Sequence, residues 1–308
     1  MVGAIIIDKP KGLTSHDVVA RVRRASGTRR VGHAGTLDPF ATGVLVCCIG
    51  RATRLVQFLV GLDKEYIATV RLGYATDTQD GTGQQITPLR SSNELSLDEL
   101  NGVLDQFIGP RLQTPPMFSA KKVAGERLYR AARAGREVKR EPVSIVVHTI
   151  KLLGDSAPAL SINEDGTCDF RMQVRCSSGT YIRTLAHDVG ERLGFGAHLI
   201  ELRRTEVGHF RLADAVTLEE LEKMTLDDLS NALINTSDML SHIPIVKLDE
   251  ERIKLVLNGR EFSSSGYEPA IGNGSPVRLC DQRGGLVAVG YYDPVLKLVT
   301  PRVVMGVE

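Results

Sequence analysis

Apolar positions along this chain change period repeatedly, and each change marks an element. Ala4 to Ile7 is a short continuous apolar run closed by Asp8-Lys9-Pro10-Lys11-Gly12, the pattern of a buried strand running into a turn. Thr14-x-x-Asp17 has the spacing of a capping box, and Val18, Val19, Val22 and Ala25 form a helical stripe behind it. Residues 27 to 43 are rich in glycine and carry no period, so they predict a loop. Val44 to Ile49 predicts a second buried strand. From Tyr66 the period becomes two: Tyr66, Ala68, Val70 and Leu72 share one face, and Ile67, Thr69 and Arg71 the other. Phe170, Met172, Val174 and Cys176 alternate in the same way with Arg171, Gln173 and Arg175. Ser96-x-x-Glu99 and Thr217-x-x-Glu220 open further helices, the first with a stripe of Leu97, Leu100, Val103, Leu104, Phe107 and Ile108. Thr184 to Leu193, ended by Gly194, reads as a helix, as does Gly125 to Gly135 with Arg127, Arg130 and Arg133 on one broad face.

Strands and helices mix without a regular βαβ alternation, which favours an α+β fold over a doubly wound sheet. The character changes after about residue 242. Short apolar runs (Val277 to Leu279, Leu286 to Val289, Leu298 to Val299, Val303 to Met305) alternate there with turns such as Asn258-Gly259 and Gly284-Gly285, predicting a small all-β unit. Two domains are therefore expected, residues 1–243 and 244–308, as the length of 308 residues also suggests.

Composition adds limits. With 42% hydrophobic and 24% charged residues, this is an ordinary globular chain, neither disordered nor fibrous. The Val44 to Ile49 run is too short to span a bilayer, and the amino-terminal isoleucines are not a signal-peptide core, so no membrane association and a cytoplasmic location are expected. The five cysteines are an odd count without C-x-x-C or zinc-site spacing, so reduced buried thiols and no metal are expected. Net charge is only +1, but it is unevenly spread. Residues 1 to 60 carry nine Lys/Arg against three Asp/Glu, residues 121 to 142 eight against three, and residues 212 to 241 one against seven. Such asymmetry suits a polyanion-facing side.

Four segments could carry chemistry. Gly32-His33-Ala34-Gly35-Thr36-Leu37-Asp38-Pro39-Phe40-Ala41-Thr42-Gly43 specifies a shaped loop holding one carboxylate, Asp38. It lacks the Gly-Lys-Ser/Thr of a phosphate cradle and the G-x-G-x-x-G of a dinucleotide site. On spacing alone, Asp38 before Pro39 is more simply a turn opener. Ser177 to Arg183 lies where a strand passes into a helix, with Tyr181 and Arg183 two apart. Lys64-Glu65-Tyr66 opens a strand, and Thr76-Asp77-Thr78-Gln79-Asp80-Gly81 reads by itself as an Asp-Gly turn.

Together these segments resemble the TruB family of tRNA pseudouridine synthases. Residues 32 to 43 are similar to its Gly-His-x-Gly-x-Leu-Asp-Pro-x-Ala-Thr-Gly loop, with Ala34 where many members have Thr. Lys64 to Tyr66, residues 76 to 80, the Pro-Pro-Met-Phe-Ser-Ala-Lys-Lys run at 115 to 122, residues 179 to 183 and Gly196 to Arg204 match further family motifs. The resemblance covers residues 3 to about 240, residues 154 to 168 look like a variable loop, and the last 60 or so look like the family's PUA domain. It implies a pseudouridine synthase catalytic domain with a mixed, mainly antiparallel sheet and a small β-barrel-like, RNA-binding PUA domain.

The implied activity is isomerisation of the T-loop uridine, position 55, of tRNA by base flipping, without a cofactor, by a monomer. The resemblance makes Asp38 the catalytic carboxylate and Arg183 its partner. Tyr66 is implied to be catalytic as well as to stack on the flipped base, and Tyr181 to line the pocket with its hydroxyl as a candidate proton carrier. Leu202 is implied as an apolar wall, and His33 as the residue filling the vacated space. Arg21, Arg23, Arg24, Arg29, Arg30 and the arginines at 127 to 136 are candidates for phosphate contacts. Two other classes stay open: an RNA-binding tRNA-folding chaperone without essential catalysis, and a carboxylate hydrolase of a glycosidic bond. The latter usually needs two acids, where the loop holds one.

Overall fold

The computed structural model describes residues 1–119, 122–123, 126–128, 136, 138–154, 159–263 and 274–306. An α+β architecture is built around an eleven-stranded mixed sheet. Its central path runs Val216–Thr217, Gly3–Lys9, Thr42–Ile49, Ala197–Val207, Lys64–Leu72, Cys168–Cys176, Val143–Leu153, Gly109–Gln113. Two of its pairings are parallel, Gly3–Lys9 with Val216–Thr217 and Thr42–Ile49 with Ala197–Val207; the others are antiparallel. The period-two stretches become neighbouring strands, Phe170 opposite Val70 and Val174 opposite Tyr66. Tyr66, Ala68, Val70 and Leu72 are all buried, as are Phe170, Met172, Val174 and Cys176. This face packs with Leu100 and Leu104 of the Leu97–Asp105 helix and with Leu185, Ala186 and Val189 of the Ile182–Leu193 helix.

The Ser15–Ser26 helix starts at a complete capping box, Thr14 with Asp17, and ends on Gly27 in the left-handed region at φ +63°. Val18, Val19 and Val22 bury against Ile5, Ile7, Leu45 and Cys47. Thr217 and Glu220 form the second complete box, opening Leu218–Lys223. At the third start Ser96 accepts from the Glu99 backbone N–H. The helix expected from Thr184 begins two residues earlier, at Ile182, and ends at Leu193.

The structure corrects three expectations. The Gly-rich stretch contains a strand, Val31–His33, paired with Thr42–Ile49, and Thr42 and Gly43 themselves are strand residues. In the stretch expected as a helix from Gly125 to Gly135, Glu126–Arg127 is instead a strand paired with Lys122–Val123, Leu128 is helical, and residues 125 and 129–135 lie outside the described residues. The carboxyl-terminal part is not all β. Its five-stranded sheet runs Ile245–Lys247, Pro276–Cys280, Leu286–Asp293, Leu298–Val304, Phe262–Ser263, but an eight-residue helix, Glu250–Leu257, packs on it. Two apolar runs there form one strand across Pro301, beside a register shift between Val289 and Gly290 that makes room for a residue without an N–H donor.

The two sheets share apolar contacts. Cys280, Leu286, Val289, Val303 and Met305 join Val44, Val46, Phe210, Met239, Leu240 and Ile243 in one buried cluster. Arg51 donates to the Met305 carbonyl at 2.8 Å, and Arg278 donates to the carbonyls of Ile243 at 2.7 Å and Ser237 at 2.9 Å.

Candidate active site

Every turn of the loop from Ala34 to Ala41 is tied to a neighbouring element. Ala34 N–H donates to Val46 O at 2.9 Å. Ser15, buried at the start of its helix, accepts from Leu37 N–H at 2.9 Å and donates to Leu37 O at 3.1 Å. Gly12 N–H donates to Pro39 O, and Ala41 N–H closes a turn on Asp38 O. Arg204, 1% exposed, donates to Gly35 O at 3.1 Å, Thr36 O at 3.4 Å and Val44 O at 2.7 Å. Lys9, fully buried, donates to Pro10 O, Leu13 O and Pro39 O. Gly43 lets the strand leave this loop. Its φ is +102°, and a Cβ there would stand 2.1 Å from Arg204 O across the parallel pairing. The loop is thus a fixed platform for one side chain.

That side chain is Asp38. Its Oδ2 lies 3.0 Å from Arg183 Nε. Arg183 stands in the first turn of the Ile182–Leu193 helix and is itself buried. Its guanidinium also donates from Nη1 to Thr78 O at 2.9 Å and to Asp80 Oδ2 at 3.5 Å, and from Nη2 to Phe118 O at 2.8 Å. A planar fork with several donors suits such a divergent set of acceptors. Asp80 is held in turn by Thr78 Oγ1 at 2.8 Å and Thr82 N–H at 3.0 Å. The Thr76 to Gly81 segment is therefore a turn whose carboxylate anchors Arg183, a part that its sequence alone does not reveal. Asp80 is buried and does not line the cavity. This second acid is committed to Arg183, so it leaves the paired-acid arrangement of a hydrolase unformed.

The cavity in front of Asp38 has a volume of about 280 Å³. Tyr66, Tyr181, Arg183 and Leu202 line it, with Lys64, Ser119 and Arg204. The register explains the grouping: Tyr66 lies opposite Arg204 and Ala68 opposite Leu202, with the Val174 strand on the other side. Tyr66 and Leu202 belong to the main apolar core as well as to the cavity wall. Tyr181 caps the helix that carries Arg183, and its peptide is fixed on both sides by Gln113, which accepts from Tyr181 N–H at 2.8 Å and donates to Tyr181 O at 3.0 Å.

Burial dominates the electrostatics. It pushes the Asp38 carboxyl above its usual range; Arg183 pulls the other way and Asp80 adds to the rise. It raises the Tyr66 phenol, against the pull of Arg204, and the Tyr181 phenol, so both stay protonated near neutrality. Burial lowers Lys64 and Lys9 to about 8 each, Arg204 helping in both cases. Lys9, Lys64, Asp80, Ser119 and Arg204 carry no expected role in the sequence. Presence inside matched motifs marks all of them except Lys9, and buried polar groups have no periodic signature.

His33 is set apart from the cavity. It lies at the end of the Val31–His33 strand, edge-on to His16 with ring centroids 5.6 Å apart. Of the arginines considered for phosphate contacts, Arg21 is paired with Glu222 at 2.9 Å, Arg23 donates to Val31 O and Arg30 to Thr53 Oγ1. All five cysteines are free and buried. Among the described residues no cluster of His, Cys, Asp or Glu could hold a metal ion, and no helix is long and apolar enough to cross a membrane.

Comparison with known proteins agrees with this geometry. Residues 23–182 match the family model for the TruB family pseudouridylate synthase N-terminal domain, and residues 183–241 that for the tRNA pseudouridylate synthase B C-terminal domain. The chain is similar to tRNA pseudouridine synthase B of Solibacter usitatus, 44% identical over 99% of this chain and 100% of that one. It is also similar to the Opitutus terrae protein of the same name, 47% identical over 75% of this chain and 92% of that one. Among solved structures it resembles one described as an archaeal box H/ACA sRNP Nop10-Cbf5 complex, with a TM-score of 0.73 and 26% identity over 98% of this chain and 85% of that one. With its fold, its Asp38-Arg183 cavity and both matched family regions, the chain belongs to the TruB family of pseudouridylate synthases.

Proposed function

We propose that this protein isomerises the T-loop uridine of tRNA, position 55, to pseudouridine. The observation that carries the reading is the single carboxylate of Asp38, held 3.0 Å from a buried arginine in a cavity walled also by Tyr66, Tyr181 and Leu202. The names of its relatives supply the substrate class, tRNA. The reaction breaks the bond from uracil N1 to ribose C1′ and forms one from C5 to C1′; C5 loses a proton and N1 gains one, so atoms and electrons balance. Asp38 in its ionised form supplies the negative charge that this sequence needs. Arg183 favours that form against burial.

A uridine inside a folded loop reaches such a cavity only by flipping out of its stack. Tyr66 offers the flipped base an aromatic face, Leu202 closes the apolar side, and His33, outside the cavity, fills the space the base leaves. The carboxyl-terminal unit, residues 244–308, is read as a PUA-like RNA-binding domain that adds contacts to the rest of the tRNA. Incubating the purified protein with unmodified tRNA and with an isolated T-arm stem-loop, then mapping pseudouridine, tests the assignment. Modification of the T-loop uridine in both is the expected result. Free uracil as product, modification only elsewhere, or binding with no modification would each overturn it, the last in favour of a folding chaperone.

A further inference from the structure

Ser119 is a polar residue of the cavity that the proposed chemistry leaves unused. It is 3% exposed, it lines the cavity, and its Oγ makes no well-formed hydrogen bond with any described residue. A buried hydroxyl without a partner costs about 1–3 kcal/mol, so its retention points to a partner that comes into line when the cavity is filled. The backbone on either side is already locked. Phe118 O accepts from Arg183 Nη2 at 2.8 Å, and Gln113 grips both polar groups of the Tyr181 peptide. The strand carrying Gln113, the segment carrying Ser119 and the helix carrying Arg183 are thus laced together beside the Tyr181 phenol. Ser119 and that phenol line the same cavity, near enough for the hydroxyl to favour the ionised phenol against the effect of burial.

Resting on the reading of Tyr181 as a residue facing the flipped base, we propose that Ser119 is a positioning residue for Tyr181. The Ser119 hydroxyl donates to the Tyr181 phenolic oxygen, and this turns the phenol's own O–H away from Ser119 and toward the base. Tyr181 has two acceptor positions and one donor, so occupying an acceptor leaves its proton for the substrate. Without Ser119 the phenol keeps its ring in place and loses its orientation. The loss falls on the rate of the bound complex rather than on RNA affinity, which phosphate contacts dominate.

The test is a double-mutant cycle of Ser119→Ala and Tyr181→Phe, read by single-turnover rate and by affinity for the T-arm stem-loop. Ser119→Ala removes an unpaired buried hydroxyl, so the melting temperature should hold or rise. In the parent background it should slow the single-turnover rate about three- to tenfold, with affinity within about twofold. In the Tyr181→Phe background it should have no further effect, because there is no phenolic oxygen left to orient. An equal loss in both backgrounds would show that Ser119 acts only through packing and would overturn the proposal. A rate unchanged by Ser119→Ala but slowed by Tyr181→Phe would overturn it while leaving the reading of Tyr181 intact. A rate unchanged by Tyr181→Phe would remove Tyr181 from the site and this proposal with it.

Discussion

Arg183→Lys is the substitution whose outcome follows most fully from the geometry. The guanidinium serves Asp38, Asp80, Thr78 O and Phe118 O at once, across distances of 2.8 to 3.5 Å. One ammonium nitrogen on a flexible stem keeps the charge but cannot reach acceptors spread around a planar fork. Asp80 is the deeper of the two carboxylates, 6% exposed against 37% for Asp38, so the ammonium settles on Asp80 and leaves Asp38. A hydrogen bond between charged groups is worth about 1.5–3 kcal/mol, or about 10- to 150-fold in rate; the partial exposure of Asp38 places the loss toward the lower end, about 10- to 30-fold in kcat/KM. The pH profile gives a second readout. Burial already raises the Asp38 carboxyl, and Arg183 is the main opposing influence. Removing that influence raises it further, so a reaction that needs ionised Asp38 loses rate on its acidic side at higher pH than in the parent. Tritium release from uridine labelled at C5, followed in single turnover across the pH range, measures both effects. A parent-like rate with an unmoved acidic limb would refute the claim that Arg183 controls the charge on Asp38.

Two further outcomes follow. Tyr66→Phe keeps the aromatic face and should leave stem-loop affinity nearly unchanged, whereas Tyr66→Ala should weaken productive binding by about one to two decades, given about 1–3 kcal/mol for base–aromatic stacking; unchanged chemistry in both, with stability lost in Tyr66→Ala alone, would reduce Tyr66 to a core residue. Removing residues 244–308 uncovers Met239, Leu240 and Ile243 and takes Leu286, Val289, Val303 and Met305 from the shared cluster, so calorimetry should show a melting temperature lower by about 10 °C or more; an unchanged value would mean that the two sheets are energetically independent.

Much of the scaffold is legible in the chain because local and global signals agree there. The Thr14–Asp17 and Thr217–Glu220 boxes and the Gly27 and Gly194 stops are short-range chemistry, and the alternation at 66–72 and 170–176 records a sheet with one deeply buried face. The Val31–His33 strand left no such trace, since three residues with a glycine among them hold no period. The Glu126–Arg127 strand is charged and two residues long, so pairing with Lys122–Val123 creates it rather than propensity. The Glu250–Leu257 helix buries only Val256 among its residues, too narrow a stripe to read. At the site, Asp38, Tyr66, Tyr181, Arg183 and Leu202 line one cavity, while His33 lies outside it. Lys9 and Arg204 run against the expectation that cations face water. They are buried because the carbonyls of the Gly-rich loop and its flanks accept their hydrogen bonds, a long-range match that no local pattern encodes.

The central claim is that the Asp38 carboxylate carries the chemistry while the rest of the cavity binds and orients. Asp38→Asn keeps the size of the side chain and removes its charge, so it separates the two roles. The direct measurement is site-resolved pseudouridine formation in a tRNA transcript by this variant and the parent, with affinity for the same transcript measured in parallel. Binding within about tenfold of the parent and a single-turnover rate reduced by at least about four decades are expected, the scale lost when an essential catalytic group is removed. A variant that binds the transcript and forms pseudouridine within about tenfold of the parent rate would contradict the claim.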